Sequence, residues 1–171
     1  GDVYKRQVYA IFTPAEEIGM LGAKNINWQE VYKNINPSKD MIVLDNGGPS
    51  KFVAHQAPTC NLFTLEVRGK KAHAGIEPEK GISSIQIISE IISKMNILRI
   101  DETTTANISK LHSEFPTNVV PDYAVAEGEV RAHSYERLDE VLDDYRKICE
   151  EVCDKYGAGY NFCLLYTSDA A

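Results

Sequence analysis

Phe63-Thr64-Leu65-Glu66-Val67-Arg68 alternates apolar and polar side chains without a break. Successive side chains of a strand leave opposite faces, so this run predicts a strand with one buried face and one wet face. The elements downstream follow from the same kind of reading. Gly81 opens a helix in which Ile85, Ile88, Ile92 and Met95 recur at helical spacing. Thr104 to Leu111 favours strand, and Tyr123 to Ala132 is a second strand reached through turns at Pro116 and Pro121. From Ser134, a good N-cap, a helix is predicted to Tyr156 with Leu138, Val141, Leu142, Tyr145, Ile148, Cys149 and Val152 on one stripe. Gly157 stops it, and a last strand begins near Gly159. The order β-α-β-β-α-β predicts a ferredoxin-like sandwich, two helices on one face of an antiparallel sheet, over residues 59–162.

Residues 8–58 read differently. Val8 to Phe12 predicts a short apolar strand, and Glu16 to about Ile26 a helix behind it. Residues 27–40 are polar and mixed, with a turn at Asn36-Pro37-Ser38. Met41-Ile-Val-Leu44 is continuously apolar, as suits a strand buried on both faces of a parallel sheet. It runs into Asp45-Asn-Gly-Gly48, and ligands of open α/β sheets bind at that carboxyl edge. Fifty residues are too few for such a domain, so this is expected to be the tail of a larger one. Residues 1–7 and 163–171 resemble translated sequencing-library adapter and are set outside the fold.

The composition is that of an ordinary globular chain, 43% hydrophobic and 25% charged. A net charge of −7 argues against nucleic acid or an anionic membrane as partner, and no apolar run is long enough for a membrane span. The four cysteines show no CxxC pairing, which predicts reduced, packed thiols in a cytoplasmic protein.

Two adjacent carboxylates stand in Phe12-Thr13-Pro14-Ala15-Glu16-Glu17-Ile18-Gly19. Metal-assisted hydrolysis needs a ligand that fixes the ion and a base that takes a proton from the activated water, and neighbouring side chains at a strand end can divide those tasks. The structural alternative is a capping box, Thr13 with Glu16, behind a Pro at the first helical position. Asp45 can equally be a turn-former before Asn-Gly-Gly, His73 a surface loop histidine, Asn118 a turn residue, and Arg131 a strand residue paired with Glu129 or Glu136.

Thr13-Pro-Ala-Glu-Glu-Ile-Gly-Met-Leu-Gly-Ala-Lys24 resembles the Glu-Glu signature of the M20 family of zinc-dependent exopeptidases, especially its peptidase T-like (tripeptidase) branch. The likeness continues through Asp45-Asn-Gly-Gly48, Gly69-Lys-Lys-Ala-His-Ala-Gly75, Thr117-Asn-Val-Val-Pro121 and Glu129-Val-Arg131, in family order. It implies a partial α/β catalytic domain with an inserted ferredoxin-like lid that carries dimer contacts. It implies Glu16 as general base, and Glu17 and Asp45 as ligands of zinc, two ions in the complete enzyme, with cobalt or manganese compatible. His73 would reach an active site, typically the partner subunit's, to stabilise the oxyanion, while Asn118 and Arg131 would bind the substrate's terminal carboxylate. His55, His112 and His133 match no family role. The approach to Asn118 reads His112-Ser-Glu-Phe-Pro-Thr117 where the family is glycine-rich. The family's His-x-Asp segment, bridging Asp and final His have no counterpart in this sequence, so the fragment is not expected to be active by itself.

The expected function is therefore hydrolysis of short peptides by a homodimeric metallopeptidase. An M20-type amidohydrolase of N-acyl amino acids shares these motifs, and a dimerisation module without catalysis is the reading from a different class.

Overall fold

The computed structural model describes residues 9–18, 20–36, 42–43 and 57–166. The chain divides into two units, residues 1–52 and 53–171.

The first unit holds two short helices, α1 (Leu21–Lys24) and α2 (Trp28–Asn34). The helix expected from Glu16 does not start there. Ala15 and Met20 both take left-handed backbone angles (φ 63° and 56°), which a right-handed helix cannot continue through. The chain instead folds back on itself, with Met20 N–H donating to Glu16 O (2.9 Å), Leu21 N–H to Ala15 O (3.1 Å) and Gly22 N–H to Pro14 O (3.1 Å). A Cβ at Gly22 would lie 2.4 Å from the Pro14 carbonyl, so only glycine permits this closure. The N-cap of α1 is Met20 with no side-chain cap, so the Thr13 capping box is not used. Residues 9–12 are not part of a strand, contrary to the expectation, since apolar character alone does not make a strand without a ladder to a neighbour. α2 was not anticipated, although Asn27 accepts from Glu30 N–H (3.1 Å) in a cap the sequence spells out.

The second unit is the expected sandwich. Its strands are β1 (Thr59–Arg68), β2 (Ala72–His73), β3 (Leu98–Arg99), β4 (Thr105–His112), β5 (Val119–Val120), β6 (Tyr123–Ala132) and β7 (Gly159–Tyr166). Its helices are α3 (Ser84–Lys94) and α4 (Tyr135–Tyr156), with a 3₁₀ turn at Pro78–Lys80. The main sheet runs β3-β4-β6-β1-β7, every ladder antiparallel, and β2 pairs with β5 in a separate small ribbon. With the two-residue β3 set aside, β1 and β4 flank β6, which is the split βαβ arrangement. Residues Cys163–Tyr166, set outside the fold on sequence grounds, complete β7 against β1.

Phe63, Leu65 and Val67 of β1 and Ala124, Ala126, Val130 and Ala132 of β6 face the helices and are buried. Small alanines on the middle strand let the helices approach closely. Ser134 Oγ accepts from Arg137 N–H (3.2 Å) and Gly157 closes α4 at φ 66°, as its sequence predicts. The predicted α3 face is rotated, however. Ile87, Ile88 and Ile91 are buried while Ile85 is exposed, because Ser83 caps the helix through Gln86 N–H and Ser84 turns inward to donate to Pro121 O (3.1 Å). Among the described residues no helix is long and apolar enough to cross a membrane.

Candidate functional site

Glu16 and Glu17 sit on the loop closed by Pro14 and Gly22, and both residues are exposed. Carboxylate oxygens suit a hard divalent cation. Among the described residues, however, no group of three or more His, Cys, Asp or Glu side chains could hold a metal ion. Asp45, the second expected ligand, and His55 lie outside the described residues.

His73 and Asn118 are brought together in the second unit. β2 and β5 pair Ala72 with Val120 and His73 with Val119, and Ala74 N–H donates to Asn118 O (2.9 Å). His73 Nδ1 accepts from Gly75 N–H (3.1 Å). A neutral imidazole that accepts at Nδ1 carries its proton on Nε2, so this exposed ring presents a donor to whatever approaches. Asn118 is exposed on the adjoining turn. A hydrogen-bond donor beside an amide side chain is an arrangement that can receive a carbonyl oxygen or a carboxylate.

Arg131 is elsewhere. It lies near the far end of β6, while Asn118 and His73 lie just before that strand begins at Tyr123. At about 3.3 Å per residue, Tyr123 and Arg131 are roughly 26 Å apart along the strand. No side chain spans that distance, so one copy of this unit does not place Arg131 with His73 and Asn118.

Around Arg131 the side chains are tightly specified. Arg131 and Glu129 leave the open face of the sheet, the one without helices, while Val130 and Ala132 point into the core. Arg131 donates from Nε to Glu129 Oε1 (2.8 Å) and from Nη2 to Glu129 Oε2 (3.1 Å), a bidentate pair that raises its pKa. Cys60, directly across the β1–β6 ladder from Arg131, approaches Glu129 Oε2 with its Sγ at 3.7 Å. Burial, and then the Glu129 charge, push its thiol pKa up, so Cys60 is a neutral donor. The sequence offered the Arg–Glu spacing of two on a strand, but not the cysteine, whose approach depends on strand register.

Cys149 and Cys153 are core residues, their pKa values pushed by burial to about 12 and about 11. His112 and His133 are exposed, and His112 lies 3.9 Å from Glu114.

Residues 62–157, more than half of the chain, match the peptidase dimerisation domain of the M20 family. Among curated proteins, the uncharacterized protein YqjE of Bacillus subtilis is 36% identical over 147 residues, covering 86% of this chain and 38% of that protein. The N-acetylcysteine deacetylase of the same organism is 28% identical over 167 residues, 92% of this chain and 43% of that one. Among solved structures, aminopeptidase PepT of Bacillus cereus superposes with a TM-score of 0.75 at 30% identity, covering 92% of this chain and 43% of that one. The chain thus spans about two fifths of the length of these relatives.

Proposed function

Because the chain belongs to the M20 peptidase family, we propose that it is part of a longer metal-dependent exopeptidase of the peptidase T type, which removes the N-terminal residue from short peptides. The ferredoxin-like unit would serve as its lid and dimerisation domain. The observation that carries this reading is the separation of His73 and Asn118, on and beside the β2–β5 ribbon just before β6 begins, from Arg131 near the far end of β6. Two groups so far apart serve one small substrate only if they come from two copies of the chain, as a twofold dimer allows. The likeness to PepT over 92% of this chain supports the peptidase branch.

In this reading the His73 Nε2–H donates to the oxygen that becomes negative in the tetrahedral intermediate. A positioned donor of that kind contributes about 3 kcal/mol to the barrier. Arg131 of the other copy pairs with the peptide's terminal carboxylate, and Asn118 holds the same group or the adjacent carbonyl. Glu16 is assigned as base, and Glu17 and Asp45 as ligands of zinc, with cobalt or manganese as alternatives. The remaining ligands would come from sequence that this chain does not contain.

A second reading, an amidohydrolase acting on N-acyl amino acids, has its own support in the likeness to the N-acetylcysteine deacetylase over 92% of this chain. Such substrates also present an amide and a carboxylate. A dimerisation module without catalysis is the third reading, and its support is the match of residues 62–157 to the peptidase dimerisation domain.

The experiment is to extend the reading frame outward from Val8 and Phe162, express the whole protein, and compare hydrolysis of tripeptides and N-acetyl amino acids with and without a chelator. Chelator-sensitive release of the N-terminal residue supports the peptidase, and preference for N-acetyl substrates supports the amidohydrolase. A longer frame without an upstream His-x-Asp and a downstream His ligand overturns both and leaves the dimerisation module, testable by size-exclusion chromatography with added zinc.

A further inference from the structure

Glu129 has no assigned task, yet its carboxylate determines what Arg131 can do. A guanidinium carries five N–H groups in a rigid plane. Glu129 engages the side-on edge, taking Nε–H and one Nη2–H at 2.8 and 3.1 Å. Neither bond uses Nη1–H or the second Nη2–H, which make up the outer edge; Cys60 is the other side chain that interacts with the guanidinium, and among the described residues no second carboxylate lies in ion-pair reach of Arg131. Two bonds to one carboxylate stop rotation of the guanidinium plane, so the outer edge has a set direction. Cys60 Sγ approaches Glu129 Oε2, the same oxygen that accepts from Arg131 Nη2, at 3.7 Å. The side chains are 49% and 31% exposed, and an ion pair that wet contributes little to stability. Its consequence is geometric.

We propose that Glu129 is a positioning residue for Arg131, holding the guanidinium by its side-on edge so that its outer edge meets the carboxylate of a substrate. This rests on the reading of Arg131 as a carboxylate-binding residue. It also has a cost, since Glu129 offsets part of the positive charge that attracts the incoming carboxylate. A residue that merely competed for the fork would weaken binding, whereas a positioning residue strengthens it.

The test uses the whole 171-residue chain labelled with ¹⁵N and ¹³C, observing the guanidinium groups by NMR in the native chain and in the Glu129→Gln, Glu129→Ala and Arg131→Lys variants. The probe is acetate, titrated against chloride at constant ionic strength. In the native chain the Arg131 Nη–H signals are expected to be resolved by slow rotation and to shift with acetate. In both Glu129 variants they should average together, and acetate should bind about threefold more weakly, the cost of ordering one freed long side chain. Backbone amide signals of β1 and β4 report that the sheet is intact. Rotation unchanged in the Glu129 variants, or acetate affinity equal or higher, overturns the proposal while leaving the Arg131 reading standing. An acetate response that persists unchanged in Arg131→Lys removes the carboxylate reading itself, and the proposal with it.

Discussion

Gly128 is the residue whose replacement tests the packing of the lid most sharply. It lies mid-strand in β6, paired with Phe63 of β1 on one side and Ile108 of β4 on the other. A Cβ built there would stand 2.4 Å from the Asn107 carbonyl oxygen and 2.6 Å from Phe63 Cζ. Neither neighbour can yield easily. The first is backbone of an adjacent strand. The second belongs to a ring that is 1% exposed, stacked on Phe162 at 5.2 Å and edge-on to Tyr145 at 5.9 Å. Overpacking of this kind costs about 3 kcal/mol at its upper end. Gly→Ala in a strand interior recovers about 0.5–1 kcal/mol of backbone entropy, leaving a net loss near 2 kcal/mol. For a domain of this size that lowers the melting temperature by about 10 °C. Thermal and urea unfolding of Gly128→Ala, Phe63→Leu and the double variant provide the assay. Shortening the ring removes one of the two clashes, so the double variant should be more stable than the sum of the single losses by about 1 kcal/mol. A Gly128→Ala protein that melts within a degree of the native chain, or single effects that simply add, would refute the argument.

Three further outcomes are expected. In the proposed dimeric enzyme, His73→Ala and Arg131→Ala should each abolish turnover, yet an equal mixture of exchanged subunits should regain about a quarter of native activity, because half the dimers are mixed and each carries one intact site; no recovery after verified exchange would mean a site within one chain. Asp101, held at a pKa of about 2 first by the Thr103 N–H and also by the Arg137 guanidinium, has a folded value below its unfolded one. Its contribution is therefore present above about pH 4 and is lost as pH falls toward 2, so the gap in melting temperature between the native chain and Asp101→Asn should close in acid. A thiol reagent at pH 8 should label exposed Cys163 quickly and half-buried Cys60 slowly, while buried Cys149 and Cys153 react only on unfolding; four equal rates would contradict the packing.

What the chain spells out by itself is whatever depends on near neighbours. The alternation at Phe63 to Arg68, the caps at Ser134 and Gly157, and the apolar stripe of α4 are local patterns, and they sufficed for the β-α-β-β-α-β order. The rest was settled by contacts distant in sequence or by backbone angles that composition does not announce. Left-handed turns at Ala15 and Met20 replaced the helix expected at Glu16. A serine turned toward Pro121 rotated α3, so that Ile85 is exposed and Ile87 buried. His73, Asn118 and Arg131 were each legible as candidates, but their separation was not, because it follows from the length of β6 and the pairing of β2 with β5. The hold of Glu129 on Arg131 lay in the spacing, whereas the approach of Cys60 lay in the register. Sequence periodicity says which face a side chain leaves; only the assembled sheet says what stands opposite it.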